Sequence, residues 1–320
     1  MTHNTADPSS STLAAHSSSH TEPQVVVVLG MHRSGTSALT KALEVLGVSL
    51  SENLMPEGEF NPKGHWEDLD IVAINDKLLA HYGCVWFSPY QPAIDLNDPF
   101  VDALIDEAVA LLLTRIETLG CYGFKDPRTS RLLAFWQAVF ARAAVTPKYV
   151  YAVRNPLDIV KSLQKRDQFT AQHGYLLWAH HTFDNLTLLA DKPVYWVPFA
   201  ALLQSPSKVI AELAQFIALP PAPESDCEAF CQDYIDPTLC HSASTLTDLY
   251  RAEQAWPWVI ALFKCVQQLS QTQSNPHTLA QDSEFQTLAA SYPATCQHSQ
   301  NQLFEAVSRA YYEQLAQIYH

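Results

Sequence analysis

Val25-Val26-Val27-Val28-Leu29-Gly30-Met31-His32-Arg33-Ser34-Gly35-Thr36-Ser37 joins an unbroken apolar run to a glycine-bounded loop. A continuous β-branched run of this length suits a strand buried on both faces, as in a parallel sheet. From Thr36 to Leu46 the period changes: Leu39, Ala42, Leu43 and Leu46 fall on one helical stripe, and Gly47 ends it. The unit is strand, loop, helix. Backbone amides of such a loop, continued by a helix N-terminus, form a nest for oxyanions. The spacing Gly30-x-x-x-x-Gly35-Thr36-Ser37 is that of a nucleotide P-loop, but Thr36 stands where that loop needs lysine. The cation is Arg33, three residues earlier, so the loop suits an anion gripped by an arginine fork rather than a nucleoside triphosphate.

On either side of this unit the chain alternates in the same way. Residues 1–23 are rich in Ser, Thr and His, hold no Lys or Arg, and read as a disordered tail. Residues 51–68 carry Pro56, Gly58, Pro62 and Gly64 and read as a loop. Helices are expected over Leu69 to Tyr82, Pro99 to Leu119, Ser130 to Ala141, Asn155 to Arg166, Tyr175 to Ala190 and Ser207 to Ile217. Strands are expected at Cys121 to Phe124, Tyr149 to Val153 and Val194 to Val197. This alternation, which runs to residue 218, predicts an α/β fold: a P-loop-type three-layer sandwich with a central parallel sheet. Beyond Pro220 the strand signals fade, and 248–270 and 302–318 read as amphipathic helices. The expected organisation is a tail at 1–23, an α/β core at 24–220, and a helical extension at 221–320 packed on that core as a C-terminal cap.

Composition narrows the function. With 19 Lys and Arg against 33 Asp and Glu, the net charge is −14, which argues against general nucleic-acid binding. Ten of those 19 cations lie between Arg115 and Arg166, enough to concentrate positive potential in one cleft. The seven cysteines are scattered and odd in number with no CxxC pair, which suits free thiols in a reducing compartment. Cys227, Cys231, Cys240 and His241 match no zinc-module spacing, so no metal is expected. No apolar run reaches membrane-span length and no signal-peptide pattern is present, so the expected location is the cytoplasm.

Tyr149 to Ser162 supplies a second anion-binding candidate. A hydrophobic strand ends at Arg154, Asn155 can cap the next helix with Pro156 in its first position, and Ser162 lies about two helical turns further on. Taken together, the Gly-x-x-Arg-Ser-Gly-Thr-Ser loop and the strand-Arg-Asn-Pro-helix with Ser eight residues after Arg resemble the two phosphate motifs of sulfotransferases that use 3'-phosphoadenylyl sulfate (PAPS). The resemblance covers about residues 25–220 and points to the bacterial, Golgi and tyrosylprotein-like branch. It implies that Arg33, Ser34, Gly35, Thr36 and Ser37 hold the 5'-phosphosulfate and that Arg154 and Ser162 hold the 3'-phosphate. PAPS is then the donor, and the acceptor is a hydroxyl, for which a carbohydrate or a lipid-linked alcohol is the family habit.

The same resemblance extends to the chemistry. Gly123-Phe124-Lys125-Asp126-Pro127-Arg128 is similar to the Lys-Asp-Pro segment of these enzymes, which implies that Lys125 stabilises the transferring group and Arg128 contacts sulfate or acceptor. Sulfuryl transfer also needs a base for the acceptor hydroxyl. Candidates lie in the loop after the first helix: Glu67 first, by analogy with carboxylate bases, then His65, whose ordinary pKa suits the role, then Glu59. The stretch from Ile235 to His241 resembles a late family segment in which Arg commonly precedes the His; here Cys240 stands in that place. Two other readings stay open at this point. One is a P-loop kinase or NTPase-like phosphotransferase; the other is a nucleotide-binding interaction protein without catalysis.

Overall fold

In the computed structural model, which describes residues 24–59, 61–235 and 243–319 and side chains as far as 308, four parallel strands form one sheet. The tail at 1–23 and the pair Cys240 and His241 lie outside the described residues. The strands are β1 (Gln24–Leu29), β2 (Cys121–Lys125), β3 (Lys148–Val153) and β4 (Val194–Pro198), in the spatial order β2-β1-β3-β4. The chain leaves β1 for β2 on one side, then crosses back to β3 on the other. Such a switch of direction opens a crevice at the C-terminal ends of the strands. The loops after β1, β2, β3 and β4 all meet there.

Alternation along β1 feeds two cores. Val25, Val27 and Leu29 join a large cluster on one face, and Val26 and Val28 a second on the other. The large cluster takes in α2 (Leu69–His81), α3 (Pro99–Leu119), α5 (Leu133–Arg142), α6 (Pro156–Asp167) and α7 (Ala171–His180). The second takes in α1 (Thr36–Val45), α9 (Phe199–Gln204) and α10 (Pro206–Ile217). Helices therefore cover both faces of the parallel sheet, the three-layer α/β arrangement expected from the alternation. The C-terminal region is helical as expected, with α12 (Leu246–Arg251), α13 (Pro257–Thr272) and α14 (Ser283–Tyr319). Val259, Leu262, Phe263 and Val266 of α13 belong to the large core itself.

The helix expected over 302–318 begins much earlier, at Ser283, and three other expected helices are divided, each for a local reason. The one expected over Ser130 to Ala141 is two: α4 (Pro127–Arg131) and α5, divided at Leu132. Asp126 accepts from the Arg128 amide and starts α4 three residues early, with Pro127 at its first position. The helix expected over Tyr175 to Ala190 divides into α7, begun by the Thr170 cap, and α8 (Phe183–Leu188). Thr182 has left helical geometry (φ −127°), and its hydroxyl donates to the Trp178 carbonyl at 2.7 Å. The stretch 248–270 likewise divides, because Pro257 opens a new helix. A short helix, α11 (Glu224–Ala229), and a π-helical turn at Phe230–Tyr234 complete the chain on the β1–α1 side.

Candidate active site

The loop after β1 is shaped by two glycines and an arginine. Gly30 (φ +135°) is pinned by Ser130 of α4: its amide donates to Ser130 Oγ at 2.8 Å, and that hydroxyl donates back to the Gly30 carbonyl at 3.3 Å. Arg33 and Gly35 both adopt positive φ, at 69° and 96°. Gly35 precedes α1, which has no side-chain cap, so its first amides remain available to an anion. Phe199 packs so closely that a Cβ on Gly35 would stand 2.3 Å from its ring, and glycine is required twice over.

The two arginines of the anion motifs are locked together. Arg33 Nε donates to Ser162 Oγ at 2.9 Å, and Arg154 Nη1 donates to the Arg33 carbonyl at 2.8 Å. Ser162 thus pairs with the arginine of the first motif, not with its own neighbour Arg154, because the end of β3 carries Arg154 inward beneath the loop. The Arg154 guanidinium also lies 4.5 Å from the Phe199 ring centroid. Burial lowers the pKa of both arginines, and each feels a like charge nearby: Arg166 for Arg33, and Arg33 for Arg154. Asp167 and Asp158 act in the opposite sense. Cations crowded and dehydrated in this way are relieved by a bound anion.

At the end of β2, Lys125 Nζ meets Glu67 Oε1 at 2.8 Å, and both side chains are buried. Burial alone would raise the Glu67 pKa. The adjoining Lys125, with Arg128, overrides that and holds it below the ordinary carboxylate range. Arg128 stands behind this pair: Asp126 Oδ1 accepts from its Nη1 at 2.9 Å, and Glu67 Oε2 lies 3.6 Å away. Asp76 lies 2.9 Å from its Nε, at an angle that leaves that N–H without a hydrogen bond. His65 is held by burial below its usual pKa; Glu67 opposes that, while Lys125, Arg166 and Arg33 reinforce it. Its ring is uncharged at neutral pH. Its carbonyl accepts from Ser37 Oγ at 3.1 Å, which ties the loop before α2 to α1.

These groups surround one cavity of about 300 Å3. Arg33, Gly35, Thr36, Ser37, His65, Glu67, Lys125 and Arg154 all line it. Ser34, Ser162, Arg128 and Glu59 do not. The Ser34 hydroxyl turns back to the Met31 carbonyl at 2.7 Å, and Glu59 is exposed on its loop. Arg128, expected against sulfate or acceptor, faces three carboxylates instead. Five cations line the cavity (Arg33, Lys63, Lys125, Arg154 and Arg166) against one carboxylate, Glu67. That contrast stands out in a chain of charge −14. Among the described residues no cluster of His, Cys, Asp and Glu could hold a metal ion, and no helix is long and apolar enough to cross a membrane.

Several lining residues carry no mark in the sequence. Arg166 lies on α6 one turn beyond Ser162, a spacing visible only once that helix is known to point across the cavity. His32 packs against Trp86 with the rings tilted at 45° and 4.5 Å between centroids, and is held well below its usual pKa, by burial first and by His181 next. Lys63 donates to the carbonyls of Asp233 and Tyr234, both at 2.9 Å, and Trp66 Nε1 donates to the Tyr234 hydroxyl at 2.8 Å. That clasp makes one wall from the loop before α2 and the π-helical turn, partners about 170 residues apart.

No family model matches the chain, and no curated protein matches it. Among solved structures it is similar to the sulfotransferase domain of the Synechococcus PCC 7002 olefin synthase, at 16% identity over 80% of this chain and 96% of that one, with a TM-score of 0.41. It is similar also to the sulfotransferase domain of the curacin biosynthetic pathway (18% identity, 85% and 98% covered, TM-score 0.41). A third is a sulfotransferase from Mycobacterium avium (14% identity, 70% and 69% covered, TM-score 0.38).

Proposed function

We propose that the chain is a PAPS-dependent sulfotransferase that moves a sulfuryl group to an acceptor hydroxyl. The observation that carries this reading is the concentration of five cations around one cavity at the C-terminal ends of the strands, among them Arg33 and Arg154 of the two anion motifs. A donor with phosphates at both 3' and 5' positions needs two such sites. The residues fit that demand: the uncapped start of α1 with Arg33 takes the 5' end, and Arg154 takes the 3'-phosphate, while Ser162 holds the Arg33 side chain in place.

In the transfer, an acceptor oxygen forms a bond to sulfur as the bond from sulfur to the 5'-phosphate oxygen breaks. Adenosine 3',5'-bisphosphate (PAP) leaves and the acceptor proton goes to a base. Lys125 stabilises charge at the breaking bond. His65 is the better placed base, since it is uncharged and lines the cavity. Glu67, its carboxylate committed to Lys125 and Arg128, holds Lys125 in position. Arg128 acts behind Glu67 rather than on substrate. Thr36, in the position of the Walker lysine, tells against the kinase or NTPase reading.

Calorimetry with PAP, and with ATP and Mg2+, tests the proposal. PAP binds and ATP with Mg2+ binds far more weakly; Arg33→Ala and Arg154→Ala each weaken PAP by well over tenfold, because each removes a charge-assisted contact. Unchanged PAP affinity in both variants would sink the reading.

A further inference from the structure

Asn75 of α2 is a polar side chain wholly buried in the large core. Trp136 Nε1 of α5 donates to its Oδ1 at 2.8 Å. An indole N–H can only donate, so this bond fixes which end of the amide is oxygen and which is nitrogen. Asn75 Nδ2 therefore donates to Asp126 Oδ2 at 2.8 Å and to Thr129 Oγ1 at 3.1 Å. Asp126 is fully buried too, and its other oxygen serves Arg128. Oδ1 accepts from Arg128 Nη1 at 2.9 Å and from the Arg128 amide at 3.1 Å.

Asn75 is thus the first link of a chain that ends on Lys125. Arg128 Nη1 has two buried carboxylates within reach, Asp126 at 2.9 Å and Glu67 at 3.6 Å. Because Asp126 holds it, Glu67 keeps Oε1 for Lys125 Nζ at 2.8 Å. Two cations and two carboxylates balance in one buried cluster, where loss of one charge redirects the others. Asp76, one residue along α2, lies 2.9 Å from Arg128 Nε but is 54% exposed, so solvent screens it and it does not replace a buried partner.

We infer that Asn75 is a positioning residue for the transfer, acting on Lys125 through Asp126, Arg128 and Glu67. The inference rests on the sulfotransferase reading for the role of Lys125. Burial raises the Asp126 pKa; Arg128 opposes that, Glu67 adds to it, and the Asn75 donor opposes it again. Without that donor Asp126 takes up a proton at higher pH. It then releases Arg128, which turns to Glu67 and draws it from Lys125. The effect has a sign: an Asn75 variant loses function as the pH falls and recovers it as the pH rises. A side chain that only filled space would cost the same at every pH. The other titratable groups of the cluster do not imitate this. His32 and His181, which feel Arg128, are held uncharged by burial, and His65, which acts on Glu67, titrates alike in wild type and variant.

The test compares Asn75→Leu and Asp126→Asn with wild type in the full chain, at about pH 6 and about pH 8.5, on either side of neutrality. One readout is release of labelled sulfate from PAPS, with water in place of the acceptor hydroxyl. The other is the NMR signal of the Lys125 ammonium in protein labelled with 15N-lysine, identified by its loss in Lys125→Arg. Asp126→Asn lacks the charge at every pH, so it is expected to lower kcat at least about tenfold and to shift the ammonium signal at both. Asn75→Leu is expected to do the same at the lower pH and to approach wild type at the higher. KM for PAPS and the calorimetric affinity for PAP stay unchanged in both variants. Asn75→Ser, whose hydroxyl is too short to reach Asp126, repeats the comparison should the leucine variant not fold. A deficit equal at the two pH values, or an ammonium signal that keeps its wild-type position in the Asn75 variants at the lower pH, overturns the inference. The ammonium signal needs neither donor nor turnover, so failure of PAP to bind counts against the donor reading instead.

Discussion

The proposed chemistry turns on which of two neighbouring side chains takes the acceptor proton. The family resemblance puts Glu67 first, but the ion pairs with Lys125 and Arg128 make its carboxylate a weak base. His65 has the opposite property. Its pKa is lowered in part by Lys125, Arg166 and Arg33, cations that a polyanionic donor neutralises. The acidic limb of the rate profile, where His65 takes up a proton and ceases to act as base, is therefore expected below pH 6.5 in kcat/KM for the donor. In kcat it should lie at higher pH, because the bound donor raises the His65 pKa. His65→Ala should lower kcat by about 10²- to 10⁴-fold and abolish that limb, whereas Glu67→Gln should keep it. A limb that survives in His65→Ala and disappears in Glu67→Gln reverses the assignment. The arginines show the same division between local and distant information. Arg33, Arg154 and the loop glycines are legible in the sequence as the parts of the proposed anion site, but the bond from Arg33 to Ser162 is not, since it joins residues 129 apart.

Among the elements, α6 does the most to connect the site to the rest of the chain. Its cap, Asn155, accepts from the Leu157 amide at 3.0 Å, and its side-chain amide donates to the carbonyls of Ser244 and Thr245, both at 2.9 Å. One turn in, Asp158 accepts from the Ser244 amide and hydroxyl. The start of the helix that follows the second anion motif thus anchors the approach to α12. Asn155→Ala removes the cap and leaves two carbonyls without this donor, so urea unfolding should show a loss of about 1–2 kcal/mol. No measurable loss would mean that water replaces all three bonds. Element by element, the strands are legible in the sequence to within a residue or two at each end, because continuous apolar runs leave little choice. The helix breaks at Leu132 and Thr182 are not, because there a local cap or a hydroxyl folded back on the preceding turn outweighs a favourable hydrophobic period.

Across the whole molecule, buried histidines set an acid limit. His180 and His181 are buried and uncharged, His180 being pushed down to about 3 and His181 well below its ordinary value, each by burial first and Arg131 next. The unfolded chain binds those protons near pH 6.5, so below that value it holds more protons than the folded one. Stability should then fall with decreasing pH by about 1.4 kcal/mol per pH unit for each histidine, and for His180 the loss continues to about pH 3. Thermal unfolding between pH 7 and pH 4 measures this, and His180→Gln should flatten the slope. By itself, the order of residues determined the α/β class, the parallel sheet and the glycine-bounded loop that carries Arg33, because each follows from local period and composition. The tertiary structure alone decided that five cations share one cavity and that Arg128 faces carboxylates. It also decided that Arg131 fixes the loop between α2 and α3 through the carbonyls of Val85, Trp86 and Tyr90. Those facts depend on contacts between residues far apart in the chain, which no local pattern encodes.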